Sequence, residues 1–192
     1  MITTTLVIIA IALAVAIASA LIYASTAPDT FVVSRSALIA APAEKIFPLI
    51  NDLHAQSRWS PFEKDPNMKR VHSGALAGKG AIYEWDGNRQ VGAGRIAITD
   101  SLPPSRVSLA LDMSRPFGAH NKVDFVLEQN GAATNVATCT KVTWAMQGRQ
   151  PFIGKLMSLF INCDKMVGNE FENGLAKLKA LVEDEAARVA AE

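Results

Sequence analysis

PFIGKLMSLFINCDKMVGNEFENGLAKLKALVE, residues 151–183, is the stretch whose reading decides the fold. Phe152, Leu156, Phe160, Cys163, Val167, Phe171, Leu175, Leu178 and Val182 recur at three- and four-residue steps. That spacing predicts one long amphipathic helix with a single apolar stripe. Gly168 and Gly174 either kink such a helix or let it approach another layer closely. The Ala-rich, charged tail at 184–192 is expected to fray. The apolar stripe needs a cover, and the rest of the chain offers a sheet to provide it.

Upstream of the helix the period changes to two. Ala81, Tyr83 and Trp85 alternate with Ile82 and Glu84, and Val107, Leu109, Leu111 and Met113 share a face. Val123, Phe125 and Leu127 oppose Lys122, Asp124 and Glu128, and Val142, Trp144 and Met146 share another face. Such alternation predicts half-buried antiparallel strands. Asp86-Gly87-Asn88 and Asn130-Gly131 read as hairpin turns. Strands are expected at 31–39, 69–72, 81–85, 91–99, 107–113, 122–128 and 135–146. Pro42 opens a predicted helix over 43–53, inside which Pro48 either kinks or shortens the helix. Trp59-Ser60-Pro61-Phe62 forms an aromatic turn. Strand, helices, meander, long helix: this order describes an α+β fold, a curved antiparallel sheet gripping a C-terminal helix.

The N-terminus is of another kind. Leu6–Ala24 is uncharged and almost wholly apolar, and at helical rise it spans roughly 28 Å, close to the thickness of a bilayer core. Two readings stand. Ala18-Ser19-Ala20 has the small-x-small form of a signal-peptide cleavage site. However, Met1–Thr5 holds no cation, and the apolar run continues through Tyr23, which favours an uncleaved anchor. The domain plan is then an anchor and linker over 1–27, one folded domain over 28–183, and the tail. The first cations beyond the span, Arg35 and Lys45, against none before it, point to a cytoplasmic folded part. Cleavage would instead give a secreted or periplasmic protein.

Composition narrows the chemistry. Nineteen Lys and Arg balance eighteen Asp and Glu over 192 residues, a net charge of +1. No basic run interleaves with aromatics, so nucleic acid is not an expected partner. Cys139 and Cys163 lack metal-ligand spacing and read as unpaired core or near-core residues. His54, His72 and His120 do not pair at metal spacing and read as surface or turn residues. Glu84, Asp112, Asp124 and Glu128 fall on outer strand faces, and Glu63, Asp65 and Asp86 fall in turns. No catalytic constellation, metal site or cofactor motif emerges.

The element order, together with Ala41-Pro42-Ala43-Glu44-Lys45-Ile46-Phe47, Trp59-Ser60-Pro61-Phe62, Tyr83–Asn88, Val91-Gly92-Ala93-Gly94-Arg95, Arg115-Pro116-Phe117 and 174–179, resembles a known superfamily. This is the helix-grip group called SRPBCC or START-like, and within it the bacterial polyketide cyclase/dehydrase-like proteins. The resemblance covers roughly 31–182. It implies an apolar small molecule, lipid- or polyketide-like, held in a cavity between sheet and C-terminal helix. On the residues alone, the inward aromatics fit a solid core as well as a cavity wall; the resemblance favours the wall. Its expected lining is Trp59, Tyr83, Trp85, Gly92, Gly94, Leu109, Leu111, Phe125, Trp144, Phe152, Leu156 and Phe160. Gly92 and Gly94 are expected either to leave volume or to bend the sheet. The alternatives are a cyclase- or dehydratase-like enzyme and a regulatory protein-interaction module.

Overall fold

The alternating segments form seven strands in one antiparallel sheet: β1 (Thr30–Ile39), β2 (Lys69–Gly74), β3 (Ala81–Asp86), β4 (Ala93–Leu102), β5 (Arg106–Arg115), β6 (Ala119–Asn130) and β7 (Cys139–Arg149). This is a computed structural model describing residues 2–130, 139–160 and 162–191. The predicted Asn130-Gly131 turn and the start of the last predicted strand run into positions outside the described residues. The sheet order is β1-β7-β6-β5-β4-β3-β2, so the first strand closes onto the last. Register shifts at Ala93/Gly94 and Ile98/Asp100 interrupt the β4–β5 ladder, where such irregularities bend a sheet. Helix α1 (Ile2–Thr26) precedes the sheet. Helices α2 (Ala43–Asn51) and α3 (Leu53–Gln56) follow β1, and α4 (Phe152–Met157) and α5 (Cys163–Ala191) follow β7. Over Thr3–Thr26, α1 is long and apolar enough to cross a membrane.

Helix α5 lies over β1 and β7. Its buried hydrophobic side chains are Phe171, Leu175, Leu178 and Val182, all on the predicted stripe, and they pack into the cluster that holds Val33, Ile39, Phe125, Val142 and Trp144. The Trp144 and Phe171 rings stack with centroids 4.2 Å apart. Trp59 meets Phe125 and Trp144 edge-on and donates its indole N–H to the Leu49 carbonyl at 2.9 Å. That bond fixes α2 to the aromatic turn. Gly174 permits the close approach: a Cβ there would stand 2.7 Å from Trp144 Cζ3 and 2.9 Å from Pro61 Cδ. Gly168 is different. Its face is occupied by the Arg35 guanidinium, which bonds Asp164 at 3.0 Å and Glu172 at 2.8 Å. The hydrogen bond from Arg35, then its charge, holds the Asp164 carboxyl below its ordinary range.

Several expectations are corrected. The single helix over 152–182 is two helices. Ser158 Oγ donates to the Lys155 carbonyl. Asn162 Oδ1 accepts the Lys165 amide at 2.8 Å, the bond an N-cap makes when a new helix begins. Cys163 opens that helix and is exposed rather than in the core. Helix α5 runs on to Ala191, consistent with the helix preference of Ala, Glu and Arg, and Glu185 pairs with Arg58. The predicted helix over 43–53 stops at Asn51, and Asp52 caps α3 through the His54 amide. Gly92 does not face inward from a strand. It sits in the six-residue turn between β3 and β4 with φ +73, and a Cβ there would strike the Arg115 carbonyl.

The two glycines of α5 predict losses of unequal size. Gly174→Ala gains up to about 1 kcal/mol of helix propensity but overpacks Trp144 and Pro61, at a cost of about 1–3 kcal/mol. Denaturant unfolding is expected to show net destabilisation. Gly168→Ala displaces only the end of a flexible Arg35 side chain, so its midpoint is expected to fall less.

Candidate functional site

Because α5 covers β1 and β7, the inner face of β3, β4 and β5 is left partly open. Tyr83, Trp85, Gly94, Ile96, Leu111 and Met113 line this face, all only half buried. The segment 59–65 crosses its edge. A pocket of about 190 Å³ lies between that segment, the β3–β4 turn and the start of α5, lined by Phe62, Lys64, Gln90, Val91, Met166, Val167 and Glu170. Lys64 Nζ and Glu170 Oε1 pair across it at 2.6 Å. The half-open face forms a trough, and the pocket lies at the end of the sheet where β1 begins.

The twelve expected lining residues divide into groups. Tyr83, Trp85, Gly94 and Leu111 are on the trough. Gly94 leaves no volume there, because Trp85 lies across it: a Cβ would stand 2.7 Å from Trp85 Cζ2. Trp59, Leu109, Phe125 and Trp144 are buried in the core. The rings of Trp59, Phe125, Trp144 and Phe171 pack against one another beneath α5, where a hollow is expected from the resemblance. Gly92 is in a turn. Phe152 and Phe160 are exposed, and Leu156 is half buried on α4, which packs against α1. Their three- and four-residue spacing continues across the helix break, so periodicity alone could not detach them from the stripe.

Polar groups on the same face were read in the sequence as turn or surface residues. Glu63 Oε1 accepts the Tyr83 hydroxyl at 2.9 Å, and Glu63 Oε2 pairs with Arg70 at 2.7 Å. Burial first, then the bond to Glu63, raises the Tyr83 phenol well above its ordinary range. Arg70 also donates to the Met68 and Asp65 carbonyls. Asp65 is buried and accepts the Asn67 and Asn88 amides at 3.0 and 2.8 Å. This set ties the 59–70 segment to β3 and to the β3–β4 turn. Each group is engaged by another, which suits a brace. His72 stacks between His54, at 3.7 Å, and Tyr83, at 4.7 Å. Desolvation, then the neighbouring His54, lowers its pKa from 6.5. The signal for Glu63 and His72 was weak in sequence, since their partners are set by cross-strand register.

One polar atom stands apart. Trp144 Nε1 is the only buried side-chain nitrogen or oxygen without a hydrogen-bond partner among the described residues. The Phe62 ring, which lines the pocket, packs edge-on against the Trp144 ring at 6.3 Å. No group of three His, Cys, Asp or Glu side chains converges as a metal site among the described residues.

Residues 30–183 match the family model for polyketide cyclase/dehydrase and lipid transport proteins, and the chain belongs to that family. No match was found among curated proteins. Similar folds occur in solved structures at low identity. Protein MLL2253 from Mesorhizobium loti is 17% identical, with a TM-score of 0.55, over 81% of this chain and 97% of its own. The Aha1 dimer from Colwellia psychrerythraea is 15% identical, with a TM-score of 0.54, over 80% and 96%. The major latex-like protein 151 from Panax ginseng is 11% identical, with a TM-score of 0.56, over 80% and 97%. These likenesses establish the helix-grip fold.

Two outcomes follow from the brace and the histidine stack. Tyr83→Phe removes one hydrogen bond and leaves Glu63 paired with Arg70, so a loss of about 1 kcal/mol is expected by chemical denaturation. A lowered folded-state pKa means that His72 contributes its stability above 6.5 and loses it as pH falls through the folded value. Thermal unfolding followed from about pH 7.5 to about pH 5.5 is therefore expected to show falling stability, with a shallower fall in His72→Phe.

Proposed function

We propose that this member of the polyketide cyclase/dehydrase and lipid transport family binds an apolar small molecule on the trough, beside a membrane that α1 crosses. The observation that carries the reading is the half-open inner face of β3–β5. Tyr83, Trp85, Ile96, Leu111 and Met113 present apolar surface there, and a pocket walled by Phe62, Val91 and Val167 lies at one end of the sheet. Burying such surface is worth about 25 cal/mol per Å² before the costs of association. The pocket alone is small beside ligand sites of about 300–1,000 Å³. The guest therefore extends along the sheet, away from the filled space under α5.

The polar chemistry narrows the guest. Trp144 Nε1 is a buried donor with no acceptor, an arrangement that costs about 1–3 kcal/mol. A guest carrying a carbonyl or hydroxyl oxygen that displaced Phe62 would supply the missing acceptor. A lipid- or polyketide-like molecule has that composition. Binding suits the site better than turnover, since Glu63, Arg70 and Tyr83 are spent on one another.

The test uses the full chain purified in mild detergent. Organic extraction and mass spectrometry are expected to find a co-purifying apolar molecule, and titration with that molecule is expected to saturate. Ile96→Trp, which places bulk on the trough, is expected to weaken binding at least ~10-fold, about 1.4 kcal/mol, with little change in unfolding temperature. Absence of any saturable ligand, or binding indifferent to Ile96→Trp, would overturn the assignment.

A further inference from the structure

We infer that α4 and the turn after it lie in the membrane–water interface and seat the domain with its trough facing the bilayer. The inference rests on the reading that α1 crosses a membrane. It adds a second contact with the lipid, made by the folded domain itself.

The first observation is length. The apolar stretch Thr3–Thr26 has 24 residues, about 36 Å of helix against a hydrocarbon core of about 30 Å. One end of α1 therefore reaches the interface. Tyr23 stands in its last turns, half exposed, and Tyr is a residue type enriched at that depth.

The second observation is what packs on those turns. Helix α4 packs against α1, and Ala24 is fully buried. Lys155, the only cation of α4, is turned inward and is 5% exposed. Its Nζ donates to the Ala27 carbonyl at 2.7 Å and pairs with Asp29 at 2.6 Å. That bond, then the charge behind it, holds the Asp29 carboxyl below its ordinary range. The surface left outside is apolar: Phe152, Ile153 and Met157 on α4, then Leu159 and Phe160, the last 86% exposed. A water-facing helix turns its cation out and its apolar side chains in. Here the arrangement is inverted, as for a helix whose outer side meets lipid.

The third observation is registry. Thr30 pairs with Arg149, Asn121 with Gly148, Met113 with Ala119, and Asp86 with Ala93. The start of β1, the β5–β6 hairpin and the β3–β4 turn therefore share one end of the sheet. Phe117, at the β5–β6 tip, is 76% exposed there. The pocket lies at that same end, between Val91 of the β3–β4 turn and Met166 at the start of α5. A lipid surface continuous with α1 accounts for the exposed apolar groups, and it places the pocket beside the guest's source.

The experiment uses the full chain in phosphatidylcholine–phosphatidylglycerol vesicles. Cys139→Ser and Cys163→Ser remove the native thiols. An environment-sensitive nitrobenzoxadiazole label is then placed at Phe160→Cys, at Phe117→Cys, or at Leu76→Cys, an exposed position near the opposite end of the sheet. Labels at 160 and 117 are expected to shift to the blue and to be quenched by shallow nitroxide lipids more than by deep ones. The label at 76 is expected to remain aqueous. Alkaline carbonate extraction reports separately on α1. Retention of the chain with a water-like label at 160 overturns the seating alone. Shielding at 160 without quenching by nitroxide lipid means a protein contact and overturns it as well. Release of the chain by carbonate defeats the membrane-spanning reading itself, and the seating with it.

Discussion

The stack of Trp144 on Phe171, with Gly174 beneath it, is the contact on which the rest of the architecture depends. It holds α5 against β7 at ring-stacking distance and draws Trp59 and Phe125 into the same cluster. Ring on ring packing over this area supplies much of what an apolar core can give. It also sets where a guest cannot go. Four large rings pack against one another and against Gly174 beneath α5, and the inner face of the sheet is half open where α5 does not reach, over β3, β4 and β5. A helix laid across the centre of the sheet would have produced a different site from the same strands.

The braces around this contact are polar and peripheral. Glu63, Arg70 and Tyr83 hold the 59–70 segment at the trough's edge, while Lys64 and Glu170 join that segment to α5. Partly exposed ion pairs of this kind contribute modestly to stability. Their effect is positional: they tie the segment that carries Phe62 to β2, β3 and α5. Arg35 acts similarly at the start of α5, laid across Gly168 and bonded to Asp164 and Glu172.

The sheet was legible because a period of two is a direct imprint of one buried face, and each strand from Ala81 onward carries it. The core stripe of α5 was legible for the same reason at a period near 3.6, from Phe171 to Val182. What the pattern could not convey is which surface covers a stripe. Phe152 and Phe160 continue the spacing of Phe171, yet Asn162 starts a new helix between them. Hydrophobic periodicity states that a face avoids water and is silent on whether sheet or lipid replaces the water. The glycines show a related limit. Gly92 and Gly94 are two residues apart, but one serves a left-handed turn and the other a tryptophan ring. Glu63 and His72 were hidden for a third reason: their partners are brought near by register, which single-residue chemistry does not encode.

A filled interior changes what kind of binding the fold can support. A sealed cavity protects its guest completely but needs an opening movement for each exchange, and such movements run on slow timescales. A trough walled by Tyr83, Trp85, Ile96 and Leu111 is open on one side, and a guest there would displace only the Phe62 side chain. The guest loses less water-exposed area, so affinity is lower per molecule, and exchange is faster. Weak binding is sufficient for a site held beside its ligand's reservoir, because tethering raises the local concentration the site experiences. On the proposed reading, the packed rings under α5 and the apolar helix at the N-terminus are consistent with one another: a domain kept at a bilayer would not require the deep enclosure that a freely diffusing carrier does.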